Sequence, residues 1–249
     1  MLHTIRHGAP TDLPPLLIAH GLFGSARNWG VVAKRLASDR EVVAVDMRNH
    51  GASPWSDSHS YADMAGDLGE MIGETPHDVL GHSMGGKAAM MLALTDPGLV
   101  RRLVVADIAP VAYGHTQAHL IAAMRGVDLS GVTRRSEVGA QLDAVPDDGT
   151  RDFLLQSVDL AGRRWSLNLD ALDAAMPEIL GFPDIDATFD GPALFLSGAE
   201  SDYVRPEHHD RIRALFPRAT FETIPEAGHW VHAQQPRVCE AAVRAFLDG

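Results

Sequence analysis

The sequence predicts an α/β fold, with a mostly parallel central sheet flanked by helices and a small helical cap inserted before the last two strands. Three observations carry this reading. Short apolar runs bounded by Gly or Pro alternate with longer segments of helical spacing, the pattern of βα repeats around a parallel sheet. About 85 residues separate two of those runs, too many for a simple connection in a compact domain. The 249 residues, 45% apolar and 22% charged, suit one undivided α/β domain spanning 1–249.

Buried strands are expected at Leu16–Ala19, Val42–Val45, Asp78–Leu80, Leu103–Ala106, Ala193–Leu196 and Thr220–Ile224. Apart from Asp78 and the last run, these are apolar at successive positions, which suits strands covered on both faces. Helices are expected at about 28–38, 61–74, 84–95, 206–215 and 236–247, where apolar residues recur three or four apart. The same spacing recurs inside the long insertion, over His119–Met124, Val138–Leu142, Phe153–Val158 and Leu169–Met176. A cap at about 112–188 is therefore expected over the carboxyl edge of the sheet, where open α/β sheets bind their ligands.

Charge excludes several function classes. With 21 basic and 33 acidic residues the net charge is -12, which repels phosphate backbones and anionic membrane surfaces. No clustered Lys/Arg stripe offsets it, so neither nucleic acid nor membrane is an expected partner. No stretch approaches the ~20 apolar residues that span a bilayer. Leu2-His3-Thr4-Ile5-Arg6 after Met1 has no apolar core of a secretory signal. The single cysteine, Cys239, cannot close an intramolecular disulfide, and in its helical segment it is expected to be structural. A reducing, cytoplasmic setting and a monomer or small homo-oligomer fit these features.

Gly81-His82-Ser83-Met84-Gly85 follows one expected strand and opens the next expected helix. This is Gly-x-Ser-x-Gly in the strand–turn–helix context that exposes a nucleophilic hydroxyl. Serine attacks only when a base takes its proton, and a histidine held by an acid is required later in the chain. His229, in Ala227-Gly228-His229-Trp230, sits after the last strand and before the last helix, where a loop can return an imidazole to the sheet edge. His232 is its local competitor and reads as a packing group. Two aspartates suit the acid. Asp202 follows the penultimate strand, and Asp107 follows the strand after the nucleophile helix; the pattern of residues leaves both open.

His20-Gly21-Leu22-Phe23-Gly24 ends the first clear strand in the place of an oxyanion-hole loop. The amides of Leu22 and Phe23, with that of Met84, are its expected donors. Asp46-Met47-Arg48-Asn49-His50-Gly51-Ala52-Ser53 reads as a structural turn. Phe23, Trp165, Phe182 and Trp230 are expected to line an apolar substrate pocket under the cap.

Together these residues resemble the α/β-hydrolase fold family, and more closely its small esterases of the YbfF type, relatives of α/β-hydrolase domain-containing protein 11. The matching stretches are HGLFGSARNW (20–29), VDMRNHGASP (45–54), GHSMGGKAAM (81–90), DIAPVAY (107–113), PALFLSGAESDYV (192–204) and AGHWVHA (227–233). The resemblance implies a carboxylesterase acting on short- to medium-chain acyl esters, with no cofactor and no metal. It also implies that Asp107 is the acid, because the loop holding Asp202 usually offers none in that group. This chain departs by carrying an aspartate there, so Asp202 stays as the second candidate. Other uses of the same triad are a thioesterase, a carbon–carbon bond hydrolase or a perhydrolase. From another class, the rival is a hydrolase-fold receptor with little turnover. Dehalogenases and epoxide hydrolases of this fold use a carboxylate nucleophile, which Ser83 disfavours.

Overall fold

The computed structural model of the chain describes every residue from Met1 to Gly249. Its first half runs β1 (Thr4–His7), β2 (Leu16–Ala19), α1 (Gly30–Leu36), β3 (Val42–Val45), α2 (Tyr61–Ile72), β4 (His77–His82), α3 (Met84–Thr95) and β5 (Val100–Ala106). The insertion then carries α4 (Ala118–Arg125), α5 (Arg135–Gly139), α6 (Asp148–Leu155), the two-residue strands β6 (Val158–Asp159) and β7 (Arg164–Trp165), α7 (Leu169–Ala174) and α8 (Met176–Leu180). The chain closes with β8 (Ala193–Gly198), α9 (His209–Leu215), β9 (Ala219–Ile224), α10 (Val231–Gln234) and α11 (Pro236–Asp248).

Seven strands form one sheet in the order β1-β3-β2-β4-β5-β8-β9. Only β1 is antiparallel, to β3. All six expected strands are present; the inner ones are buried on both faces, while β9, at the sheet edge, buries only Ile224 fully. Leu17, Val43, Val79, Val105 and Phe195 face one core, with α2, α3 and the insertion against them. Leu16, Val42, Leu80, Val104 and Leu194 face a second core covered by α1 and α11. Each of these large side chains contributes roughly 1.5–3 kcal/mol when fully buried.

The sequence reading missed β1, because Thr4-Ile5-Arg6-His7 pairs on one side only and stays partly exposed. It also missed the β6–β7 hairpin, reading helix over Phe153–Val158 where α6 ends at Leu155. Two-residue strands are too short to show a period of two. Cys239 lies buried on the inner face of α11, and its thiol is pushed up to about 12 by burial and by Glu222 and Glu240. No helix is long and apolar enough to cross a membrane.

Register brings the chemistry together. Ala19 pairs with Gly81, His82 with Ala106, and Ala106 with Leu196, so the carboxyl ends of β2, β4, β5 and β8 lie side by side. The loops opening at His20, Ser83, Asp107 and Ala199 therefore emerge at one edge.

Candidate active site

Ser83 joins β4 to α3 with φ 53° and ψ -121°, a conformation that costs a non-glycine residue energy. Its neighbours make the turn possible. A Cβ on Gly81 would stand 2.2 Å from the Gly85 carbonyl oxygen, and one on Gly85 would stand 2.4 Å from that of His20. A side chain at Gly81 would push away the start of α3, and one at Gly85 would push the elbow off the end of β2. The Ser83 amide donates to the Ala106 carbonyl at 3.0 Å, fixing the turn to β5.

His229 arrives on the loop between β9 and α10. Gly198 lets that loop close on β8, since a Cβ there would lie 2.2 Å from the Gly228 carbonyl. The Gly228 amide donates to Gln234 at 2.8 Å, and His82 Nε2 donates to the His229 carbonyl at 2.8 Å. So held, His229 places Nε2 3.0 Å from Ser83 Oγ and Nδ1 2.8 Å from Asp107 Oδ2. The Tyr203 ring stacks on the imidazole with centroids 4.0 Å apart and planes at 20°.

Asp107 is fully buried and holds a left-handed φ of 52°. Its Oδ1 accepts from the Gly198 amide at 3.0 Å, and its Oδ2 accepts from Ser201 Oγ at 2.5 Å as well as from the imidazole. These contacts orient the His229 ring, with Nδ1 turned to Asp107 and Nε2 to Ser83. Asp202, the second candidate acid, is exposed, and the hydrogen bonds of His229 do not include it.

The loop Gly21–Gly24 abuts the elbow, since a Cβ on Gly21 would lie 3.1 Å from Ser83 Cβ. Its Leu22 amide donates to no protein group. Met84 opens α3, where an amide has no intrahelical acceptor. Phe23 is different: its amide already donates to His50 Nε2 at 3.1 Å, which corrects the expectation that it could serve an oxyanion. His50 carries its proton on Nδ1, donated to the Arg48 carbonyl at 2.8 Å. Burial, with His20 and His59 nearby, holds this ring well below the ordinary imidazole range and so neutral. Burial beside His229 likewise depresses His82, and pulls His232 down to about 3; His232 stacks on Trp29 at 4.2 Å.

A cavity of about 190 Å³ opens above Ser83. Phe23 and Trp230 line it, together with Leu22, Met84 and residues of the insertion such as Leu120, Phe153 and Ile179. Trp165 and Phe182 do not. Trp165 is buried, with Nε1 donating to the Met124 carbonyl at 2.9 Å inside the insertion, and Phe182 packs against Tyr61 with ring centroids 6.3 Å apart. Both aromatics serve packing, which corrects their expected place in the pocket. No group of three or more His, Cys, Asp or Glu side chains is arranged to hold a metal ion.

Sequence reasoning missed Ser201, Tyr203, His82 and Lys87. Ser201 and Tyr203 flank Asp202 in a polar loop, where no spacing or motif marks them. Lys87 is buried in α3, where its Nζ donates to the carbonyls of Val111, Leu180 and Gly181 at 2.9, 2.9 and 2.5 Å. It thus ties both ends of the insertion to the helix that carries the elbow. A lysine in an otherwise apolar helix was the signal that could have found it.

Comparison with known proteins extends the likeness over the whole chain. The profile of the alpha/beta hydrolase fold family matches residues 14–236. The mouse sn-1-specific diacylglycerol lipase ABHD11 is 43% identical over 94% of this chain and 81% of its own. Esterase YbfF of Escherichia coli is 39% identical over 94% of this chain and 93% of its own. A solved marine microorganism esterase superposes with a TM-score of 0.92 at 38% identity, covering 98% of each chain. The chain belongs to the α/β hydrolase fold family, in the group that contains esterase YbfF and ABHD11.

Proposed function

We propose that the protein is a carboxylesterase that cleaves acyl esters through a Ser83–His229–Asp107 triad and an acyl-enzyme intermediate. One observation carries this reading: the continuous hydrogen-bonded relay from Ser83 Oγ through both nitrogens of His229 to a buried carboxylate. His229 Nε2 takes the Ser83 proton as Oγ attacks the ester carbonyl. The carbonyl oxygen, now an anion, receives the amides of Leu22 and Met84. His229 returns its proton to the leaving alcohol, then deprotonates the water that releases the acid and regenerates Ser83.

Residues 112–188 act as the cap in this scheme, because their side chains form part of the cavity wall beside Ser83. The largely apolar wall suits a short or medium acyl chain. Relatives named as esterase and as diacylglycerol lipase make acylglycerols a reasonable second substrate series. Steady-state hydrolysis of p-nitrophenyl esters from acetate to laurate tests the proposal. Turnover by the wild type, with loss on the order of 10⁶ in kcat for Ser83→Ala, is expected. A wild type inert on every ester would overturn it.

A further inference from the structure

A closed ring of hydrogen bonds ties the insertion to the loop that offers the Leu22 amide. Phe23, next in that loop, has a left-handed φ of 63°, which a phenylalanine does not adopt unless its surroundings impose it. Both of its main-chain groups are held. Its amide donates to His50 Nε2 at 3.1 Å, and its carbonyl accepts from Ser157 Oγ at 2.9 Å. Ser157 lies two residues beyond α6 and is buried. The ring closes through the insertion: the Gly51 amide donates to the Ser166 carbonyl at 2.8 Å, and the Ser166 amide donates to the Ser157 carbonyl at 2.7 Å. Outside it, Asn28 Nδ2 donates to Gln156 Oε1 at 2.8 Å, a second tie between the same two segments. Within Gly21–Gly24, the Gly24 amide is also satisfied, by the Gly21 carbonyl at 3.0 Å, so of the amides of Leu22, Phe23 and Gly24 only that of Leu22 is left for a ligand.

We propose that Ser157 and His50 are positioning residues that hold the Phe23 main chain so that the Leu22 amide meets the oxyanion. The insertion then completes the oxyanion hole in addition to walling the cavity. This rests on the serine-hydrolase reading above. A donor aimed at charge that exists only in the transition state affects kcat and leaves ground-state binding alone.

The test compares wild type with Ser157→Ala, Ser157→Thr and Ser157→Cys on p-nitrophenyl butyrate, alongside inhibition by an alkyl trifluoromethyl ketone, whose hemiketal oxygen mimics the oxyanion. Loss of a whole oxyanion donor costs about 10²–10³ in kcat in another enzyme, so a displaced one should cost roughly 10- to 100-fold. Ser157→Ala should show that fall in kcat with KM within about twofold, ketone affinity reduced by the same factor as kcat/KM, and recovery in Ser157→Thr. Ser157→Cys keeps the volume with a weak donor, and gives the same readout should the alanine variant not fold. Unchanged kcat and ketone affinity in a folded variant, or a change confined to KM, would overturn the proposal while an active wild type and a dead Ser83→Ala keep the esterase reading. An inert wild type would overturn both.

Discussion

Replacing Asp107 with Asn separates the acid from its competitor on a defined physical basis. Asparagine matches the aspartate in volume and tolerates the left-handed φ of 52°, so the backbone has no reason to move. Its amide nitrogen, however, is a donor where the aspartate offered only acceptors. Placed at the Oδ1 position it would meet the Gly198 amide, donor against donor, across 3.0 Å. Placed at Oδ2 it faces His229 Nδ1 and the Ser201 hydroxyl; the hydroxyl can turn to accept, but Nδ1 can accept only by giving up its proton. The imidazole then changes tautomer, and Nε2, now carrying the proton, can no longer accept one from Ser83. The equivalent exchange in another serine hydrolase lowers kcat about 10⁴-fold, or about 5.4 kcal/mol in activation free energy. Steady-state rates on p-nitrophenyl butyrate should show a loss of that order for Asp107→Asn and less than about twofold for Asp202→Asn, whose side chain is exposed and makes no hydrogen bond to His229. Thermal melts should place both variants within a few degrees of the wild type. An Asp107→Asn protein keeping more than a tenth of the activity, or an Asp202→Asn protein losing as much, would refute the reasoning.

Three further outcomes follow from buried groups. Lys87→Met strips the donor from three carbonyls at the ends of the insertion; at about 1–3 kcal/mol for each carbonyl left buried and unpaired, reduced by relaxation, a Tm drop of roughly 6–12 °C is expected by calorimetry. Burial lowers the pKa of His20, His50 and His82, and takes His59 down to about 4 and His232 to about 3. In the fold these rings protonate only at lower pH than in the unfolded chain, where they protonate below about pH 6.5, so each removes up to about 1.4 kcal/mol of stability per pH unit as pH falls from there toward its folded value. Denaturant melts from pH 7 to 4 should therefore show a steep loss of stability, and a flat profile would contradict the neutral assignments. Cys239, with its thiol at about 12, should resist a disulfide reagent at pH 8 until the protein is unfolded.

The sheet and the elbow were legible because their physics is local. Strands buried on both faces advertise themselves as apolar runs, and glycines at 81 and 85 stand where backbone meets backbone. β1 was hidden because an edge strand pairs on one side and carries Arg6 and His7. Asp107 and Asp202 looked alike because both follow strands in the sequence. They differ in that one is turned inward, onto Gly198, Ser201 and His229, while the other is exposed, a distinction made by a tertiary fold and not by spacing. Trp165 and Phe182 failed as pocket residues for the same reason: an aromatic in a short helical insertion reads equally as wall or as packing. The amide of Phe23 looked free until His50, 27 residues away, closed on it.

The most direct test of the central claim is covalent labelling with an alkyl fluorophosphonate, read by intact mass and peptide mapping. The expected result is one adduct per chain on wild type, carried by the peptide that contains Ser83, and none on Ser83→Ala. A folded wild type that takes no label, or a Ser83→Ala protein labelled as fast as wild type, would contradict Ser83 as the nucleophile.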